Sequence, residues 1–244
     1  MKFGLISLCM DLKSMLSGSA KGLKRYKGTY THGEAWFTYR EGEEENAYEG
    51  DFVYRHDYTE YGHEAYTYVK GKFKNDHKNG IWKFQHKDNG GLVKARIGYS
   101  DGIVEGPYEM VRLSNDGLFG LLPKKTHQLA LHLTSGVPVG DIDGFSRYQT
   151  FHAHCDQAGF PDGTWTLVDA DEDKSTSYTE VWEHGVLRES FYTDALSGRK
   201  ITCDERIRKV IERLVQHYTY GLERRIEKGS NFWRGRIHTF KGGK

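Results

Sequence analysis

Residues 70–110 read KGKFKNDHKNGIWKFQHKDNGGLVKARIGYSDGIVEGPYEM, and this stretch decides the fold. Short runs of alternating aromatic and polar residues are separated by Asn-Gly, Asp-Gly and Gly-Gly pairs. Alternation with a period of two is typical of strands, and such pairs supply the positive φ that tight hairpin turns need. The stretch therefore predicts consecutive antiparallel hairpins. It defines an architecture rather than one biochemical task.

Related strands lie on both sides of this stretch and form an internal repeat. The sequences YKGTY, YEGDF, VKGKF and VKARI begin at residues 26, 48, 69 and 93, so their starts are separated by 22, 21 and 24 residues. A nearly constant spacing of this length is typical of repeat architectures. A hairpin is not stable alone in water, so each repeat is predicted to depend on its neighbours.

The partner strands share a glycine placed shortly before a large ring. The pairs are Gly33 with Trp36, Gly62 with Tyr66, Gly80 with Trp82, Gly106 with Tyr108, Gly144 with Phe145 and Tyr148, and Gly163 with Trp165. The turn glycine is predicted to reverse the chain, and the ring to stack on the equivalent ring of the next hairpin. Any of these rings that stands on an open face would instead offer an anchor for a protein or a peptide.

Two blocks of hairpins follow one plan. Trp82 precedes Tyr99 by 17 residues and Gly102 by 20, and Trp165 precedes Trp182 and Gly185 by the same 17 and 20. The predicted map is a short amphipathic helix within 1–22, hairpin block one at 23–112, an insertion or extra edge element at 113–139, and hairpin block two at 140–200. An amphipathic helix at 201–229 and a basic tail at 230–244 complete it.

The C-terminal helix is predicted from an apolar stripe at helical spacing, with Thr202 or Asp204 as its cap. The stripe consists of Ile207, Val210, Ile211, Leu214, Val215, Tyr218 and Leu222. Asp204 and Glu205 favour the positive end of the helix dipole. Such a helix would cover an otherwise wet face or an exposed edge of the sheet.

Composition sets the class of protein. The chain has 244 residues, of which 37% are hydrophobic and 14% aromatic, with 29 Gly and only 4 Pro, as expected for ring-rich strands joined by tight turns. Its 35 basic and 34 acidic residues give a net charge of +1, so no global field attracts nucleic acid or an anionic membrane. Cys9, Cys155 and Cys203 are predicted to be reduced thiols of a cytoplasmic protein.

The motifs YEGDF, VKGKF, KNGIWKF and YSDGIVEGPYEM resemble the membrane occupation and recognition nexus (MORN) repeat and its bacterial relatives, among them proteins named as toxin-antitoxin antitoxins. The resemblance covers residues 23–111 and, more weakly, 140–199. It implies an extended sheet that serves as a scaffold, a dimerisation element or a lipid-associated module. The chain departs from the family pattern in its irregular loop lengths, its long insertion, and the presence of Ala95 and Glu180 where the YxGxF glycine is expected.

Two clusters have ligand types suited to a metal. Asp169, Asp171, Asp173, Ser175, Ser177 and Glu180 occupy positions 1, 3, 5, 7, 9 and 12 of a calcium loop, but Lys174 stands where that loop needs glycine. The favoured interpretation is therefore an acidic, solvated hairpin loop. His152 and His154 would share one face of a strand beside Cys155, as a zinc site could use, but no fourth ligand lies nearby in the sequence and cross-strand polar packing is the favoured interpretation. No metal or other cofactor is predicted.

Nothing in the sequence predicts a catalytic residue. The chain has no GxSxG, GxxxxGK[ST] or GxGxxG motif, and Cys9 and Cys203 lack an activating context. The predicted function is a non-enzymatic binding or scaffold module that uses a face or an edge of the sheet to bind another protein, and no nucleic acid is expected. A hydrolase would need a concave pocket with a titratable residue of shifted pKa.

Two alternatives follow from the resemblance and from local charge. One is a toxin-neutralising partner, as the bacterial relatives suggest. The other is a lipid-surface module that uses small basic clusters. Those clusters are Lys24, Arg25 and Lys27 near the start of the first block, and Arg234, Arg236, Lys241 and Lys244 in the tail.

Overall fold

The computed structural model describes residues 22–41, 46–115, 124–146, 148–171, 174–194 and 196–224. Within them, one antiparallel sheet of 14 strands follows chain order, so that each strand pairs with the strands before and after it. This confirms the predicted mainly β fold of successive hairpins ending in a helix. The predicted N-terminal helix and the basic tail lie outside the described residues.

The strands of the first half are β1 (Lys24–Tyr30), β2 (Gly33–Arg40), β3 (Ala47–Glu60), β4 (His63–Lys74), β5 (His77–Asp88), β6 (Gly91–Ser100) and β7 (Ile103–Ser114). Those of the second half are β8 (Lys124–Thr134), β9 (Val137–Ser146), β10 (Gln149–Cys155), β11 (Gly163–Asp171), β12 (Lys174–Glu183), β13 (Val186–Thr193) and β14 (Lys200–Thr202). One helix, α1 (Ile207–Arg224), follows.

Alternate side chains give the sheet an apolar inner face and a polar outer face. Rings on the inner face form a continuous series across the strands. The ring centroids of Phe52 and Phe73 are 5.5 Å apart, those of Phe73 and Trp82 are 4.9 Å apart, and those of Trp82 and Tyr99 are 6.3 Å apart. Such edge-on and offset pairs stabilise the sheet beyond the area that they bury.

A positive-φ glycine lies at an equivalent place in five odd-numbered strands. These glycines are Gly50, Gly80, Gly106, Gly140 and Gly163. In β3, β5, β7 and β9 the ladder shifts register there, because three residues of the bulged strand stand opposite one residue of the preceding strand. The residue two positions after each glycine is fully buried on the inner face, namely Phe52, Trp82, Tyr108, Ile142 and Trp165.

The turn role predicted for Gly80, Gly106 and Gly144 is therefore wrong, because each of them lies inside a strand. The sequence predicts a turn at Asn79-Gly80, but the chain reverses at Asn75-Asp76, and Gly80, with φ of 70°, bends the interior of β5. The repeating unit is a tetrapeptide that ends in the buried residue. Its copies are EGDF at 49–52, NGIW at 79–82, EGPY at 105–108, VGDI at 139–142 and DGTW at 162–165. The motifs YEGDF and VKGKF are not equivalent, since they lie on β3 and β4 and pair with each other.

Two-residue turns with positive φ at both positions join several of the strands, as the prediction of tight hairpins requires. They are Tyr61-Gly62, Asn75-Asp76, Asp101-Gly102, Ser135-Gly136 and His184-Gly185. Both φ values are those of type I′ turns, whose twist matches that of the flanking strands.

Turns at one end of the sheet are hydrogen bonded to the preceding hairpin. The N–H of Gly102 donates to the carbonyl of Lys78 at 2.9 Å, and the N–H of Gly185 donates to the carbonyl of Pro161 at 2.8 Å. The acidic residue before the bulge glycine adds a second bond. Glu49 accepts from the N–H of Asn75 at 2.9 Å, Glu105 from that of Ser135 at 2.5 Å, and Asp162 from that of His184 at 3.2 Å. The acidic residue of the tetrapeptide thus fixes the turn of the following hairpin.

Trp82 and Trp165 occupy equivalent settings in the two blocks. Each indole is fully buried, and its N–H donates to a carbonyl of the preceding strand, that of Lys72 at 3.0 Å or that of His154 at 2.8 Å. This confirms the single hairpin plan that the spacing predicts. The segment 113–139 does not interrupt the sheet, because β8 pairs with both β7 and β9 and is an interior strand rather than an edge element.

Helix α1 packs on the inner face against β11 and β12, where Ile207 and Ile211 are fully buried. Its cap is Glu180 of β12 rather than Thr202 or Asp204. One carboxylate oxygen of Glu180 accepts from the N–H groups of Arg206 at 2.5 Å and Ile207 at 2.7 Å. A carboxylate at this end satisfies otherwise unbonded donors and complements the helix dipole.

We predict that Gly71→Ala destabilises the sheet. Gly71 stands opposite the bulge of β5, and an added Cβ would clash with the Trp82 indole, which cannot move within the core. Overpacking of this kind is expected to lower the free energy of unfolding by about 2–3 kcal/mol. Urea denaturation measures it. Gly62→Ala is the control, because its Cβ meets open space and only the positive φ of 80° adds strain, about 1 kcal/mol.

Removal of the carboxylate of Glu180 should release the start of α1. Glu180→Ala removes the acceptor of two backbone N–H groups and of the Trp182 indole N–H, and it is expected to lower the free energy of unfolding by about 1–3 kcal/mol. Hydrogen exchange at the amides of Arg206 and Ile207 should accelerate selectively. Glu180→Gln keeps an acceptor oxygen and should lose less protection. Exchange at these two amides that is as slow in Glu180→Ala as in the unchanged chain would show that the bonds to Glu180 do not hold the helix.

Candidate binding surface

No described element packs on the outer face of the sheet. The helix packs only on the inner face, at the C-terminal end of the sheet, and elsewhere the inner face buries its own rings. The outer face is therefore the larger accessible surface of the described chain.

The rings predicted to be equivalent lie on opposite faces. Trp82, Tyr108 and Trp165 are on odd-numbered strands and are fully buried on the inner face. Trp36 on β2 and Tyr66 on β4 are half-buried on the outer face. The prediction that all five rings pack between hairpins is therefore wrong for Trp36 and Tyr66, because their strands place them at the opposite phase of the alternation.

One row of directly opposed residues crosses the outer face from β1 to β10, and we call it the central row. It consists of Lys27, Trp36, Val53, Lys70, Lys83, Arg96, Glu109, Ala130, Asp143 and His152. Cations dominate the half up to Arg96, and carboxylates first appear in the row at Glu109. The central row therefore changes from basic to acidic between Arg96 and Glu109.

Two cations on the outer face lie over the rings of that face. The ammonium of Lys27 is 5.8 Å from the centroid of Trp36, and the guanidinium of Arg55 is 5.7 Å from that of Tyr66. Arg55 also forms a bidentate pair with Asp57, with contacts of 2.6 and 2.8 Å. Such contacts hold the rings in place and leave their faces partly covered.

Histidine–aspartate pairs mark the other half of the outer face. The Nδ1 of His152 is 2.9 Å from a carboxylate oxygen of Asp143, and that of His154 is 2.7 Å from one of Asp141. The hydrogen bond to His154 lowers the pKa of the Asp141 carboxyl. The two imidazoles share a face as predicted, and each has its own aspartate in the neighbouring strand.

His152, His154 and Cys155 do not form a joint cluster, because Cys155 points to the inner face. Its thiol is fully buried, and desolvation raises the pKa of Cys155 to about 12, which disfavours the thiolate that zinc binds. Within the described ranges no group of three or more His, Cys, Asp or Glu residues is placed to hold a metal ion.

The residues at calcium-loop spacing lie on a hairpin, as the favoured interpretation expects. Asp169 belongs to β11 and pairs with Thr176 of β12, and Ser177 and Glu180 continue along β12. The Glu180 carboxylate is already bonded to the start of α1, so it cannot close an ion site as that loop requires. Asp173 lies outside the described residues.

The predictions missed the basic half of the central row, although the sequence contained a signal for it. Lys70, Lys83, Arg96 and Glu109 are each separated by 13 residues, and in a series of hairpins of equal length such a spacing returns to one row. The sequence alone does not distinguish these lysines and this arginine, because exposed cations are common in polar strands.

Comparison of the chain with protein-family models, with curated proteins and with solved structures gave no match. Of the helical residues that the structure describes, none form a segment with both the length and the apolar character needed to cross a lipid bilayer.

The pair His184–Asp156, near the turn end of β12, should titrate detectably. A hydrogen bond to Asp156, assisted by the charge of Asp162, raises the pKa of His184. Burial alone would raise the pKa of Asp156, but bonds from the Phe160 and Ala158 amides and from His184 lower it on balance.

This pair is expected to stabilise the fold most at mildly acidic pH. Its contribution through His184 is complete below the unfolded pKa of about 6.5 and is lost as the pH rises through the raised folded value. Its contribution through Asp156 is lost as the pH falls through the lowered folded value. An NMR titration of the His184 ring should give a midpoint above that of a free histidine. Asp156→Asn should lower this midpoint, and Asp101→Asn, which removes the partner of His77, should leave it unchanged.

Proposed function

We propose that this protein is a non-enzymatic binding module that presents the outer face of its sheet to a partner protein. The observation that carries the proposal is the position of α1, which packs on the inner face at the C-terminal end of the sheet, so that no described element covers the outer face. Fourteen strands at about 4.8 Å spacing give a surface roughly 60 Å long, which suits a scaffold.

The outer face has the composition of a recognition surface at its N-terminal end. Trp36 and Tyr66 supply half-buried rings whose positions are fixed by Lys27 and Arg55. Aromatic side chains in fixed positions, surrounded by polar groups, are the usual source of binding energy at protein interfaces. The resemblance to MORN repeats, which serve as scaffolds, points in the same direction.

The residues that first suggested chemistry have structural roles that support a non-enzymatic function. Glu180 caps α1, Cys155 packs in the core, and His152 and His154 pair with aspartates on the outer face. A toxin-neutralising protein would be one form of this proposal, distinguished by a single tight partner in equimolar amount. A lipid-surface module would instead bind anionic vesicles and lose them at raised salt.

Affinity capture with the full chain, followed by mass spectrometry, tests the proposal. The double variant Trp36→Ala/Tyr66→Ala should lose the partner that the unchanged chain retains, with affinity reduced about a hundredfold if both rings are hot spots. Tyr61→Ala removes a ring that is 87% exposed at a turn and serves as the control.

Thermal unfolding of each variant must show that the sheet remains folded. Val53→Lys, which adds a charge between Trp36 and Lys70 in the central row and leaves both rings in place, provides a second test of the same surface. Retention of all partners by the double variant and by Val53→Lys would contradict the proposal.

A further inference from the structure

The basic half of the central row sets like charges side by side. Lys70 is directly opposite Lys83, and Lys83 is directly opposite Arg96, on neighbouring strands of the outer face. Like charges in directly opposed positions destabilise a sheet. The next residue of the row after Arg96 is Glu109, whose carboxylate pairs with Arg96 at 3.0 Å.

Further exposed cations extend this patch in both directions. Lys94 lies on the outer face of β6, one row from Lys83, and Lys27 begins the central row on β1. Lys83 and Lys94 are exposed, and neither forms an ion pair with any residue in the part of the chain that the structure describes. The net charge of the whole chain is only +1, so this is a local concentration of positive charge.

We infer that the outer face from β1 to β6 binds an extended acidic segment of a protein partner, an assignment that rests on the proposed function. Carboxylates placed along the central row would neutralise the opposed cations and reach Lys94. From Lys27 on β1 to Arg96 on β6 the row crosses five strand spacings, about 24 Å, which corresponds to about seven residues of extended chain.

The ring contacts favour an acidic peptide over the other polyanions. Single-stranded nucleic acid binds such surfaces by stacking its bases on open ring faces, and here Lys27 and Arg55 lie over Trp36 and Tyr66. Binding to a bilayer surface requires a flat array of cations from which apolar groups protrude. These two rings are half-buried, and the twist of a sheet brings only a narrow band of it against a plane.

Charge reversal at Lys83 gives a test in which stability and binding move in opposite directions. Lys83→Glu would replace two repulsive contacts by two attractive ones, with Lys70 and Arg96, so the midpoint of thermal unfolding should rise by about 1–3 °C. The same substitution should weaken binding of a fluorescent poly-L-glutamate probe at least about tenfold at low salt. Loss of binding in a stabilised protein cannot be explained by unfolding.

The matched control is Lys124→Glu, which makes the same change of charge at an exposed position at the start of β8, outside the basic half of the central row. It should alter neither probe binding nor the unfolding midpoint by a comparable amount. Lys94→Glu, one row away, should weaken binding as well. Raising the salt concentration should weaken binding of the unchanged chain, since the patch is exposed.

Parallel measurements with polyuridylate RNA and with phosphatidylserine vesicles decide the class of partner. Tighter, Lys83-dependent binding of either probe than of poly-L-glutamate would overturn the assignment to an acidic peptide. Binding of none of the probes, or equal binding by Lys83→Glu, would overturn the inference itself. The capture experiment with the Trp36 and Tyr66 variant decides the proposed function separately, because it changes no charge of the patch.

Discussion

Each odd-numbered strand from β3 to β11 depends on one glycine in the left-handed region of φ. Gly80 illustrates why: its positive φ bends β5 so that Trp82 enters the inner face, where its indole N–H finds the carbonyl of Lys72. An L-residue with a side chain would adopt this backbone only at the expense of stability. That bend buries the Trp82 ring and requires the opposed Gly71 to leave room for it. It also allows the hydrogen bond between Lys78 and the following turn at Gly102.

Much of the fold could be predicted because its signals are local. Alternating rings and paired turn residues predict hairpins, and the spacing shared by Trp82 and Trp165 predicts one plan for both blocks, as the structure confirms. The role of Gly80 could not be assigned in this way, since a glycine of positive φ serves a turn and a bulge equally well. A bulge also adds residues to one strand of a pair, so the spacing between a glycine and a ring does not tell which face the ring occupies. Trp36 and Trp82 therefore lie on opposite faces.

Contacts between residues distant in sequence were beyond the reach of pattern analysis. Glu180 was noted as an exception to a repeat motif and as the last ligand of an ion loop. Its use as a cap for α1 depends on the helix returning to the inner face, 27 residues further along the chain. Likewise, the central row exists only once the register of ten strands is known, and it is the basis of the candidate surface.

The direction of the hydrogen bonds at the turn end bears on how the protein is made. In each of the backbone–backbone bonds the acceptor carbonyl belongs to a hairpin that is synthesised first, and the donor belongs to the turn that follows it, as with Lys78 and Gly102. As the chain emerges from the ribosome, each of these turns can therefore bond to a carbonyl of a hairpin that has already formed. Growth of the sheet can proceed stepwise from the N-terminus, with short loops to close at each step, and α1 arrives last to a carboxylate already in place.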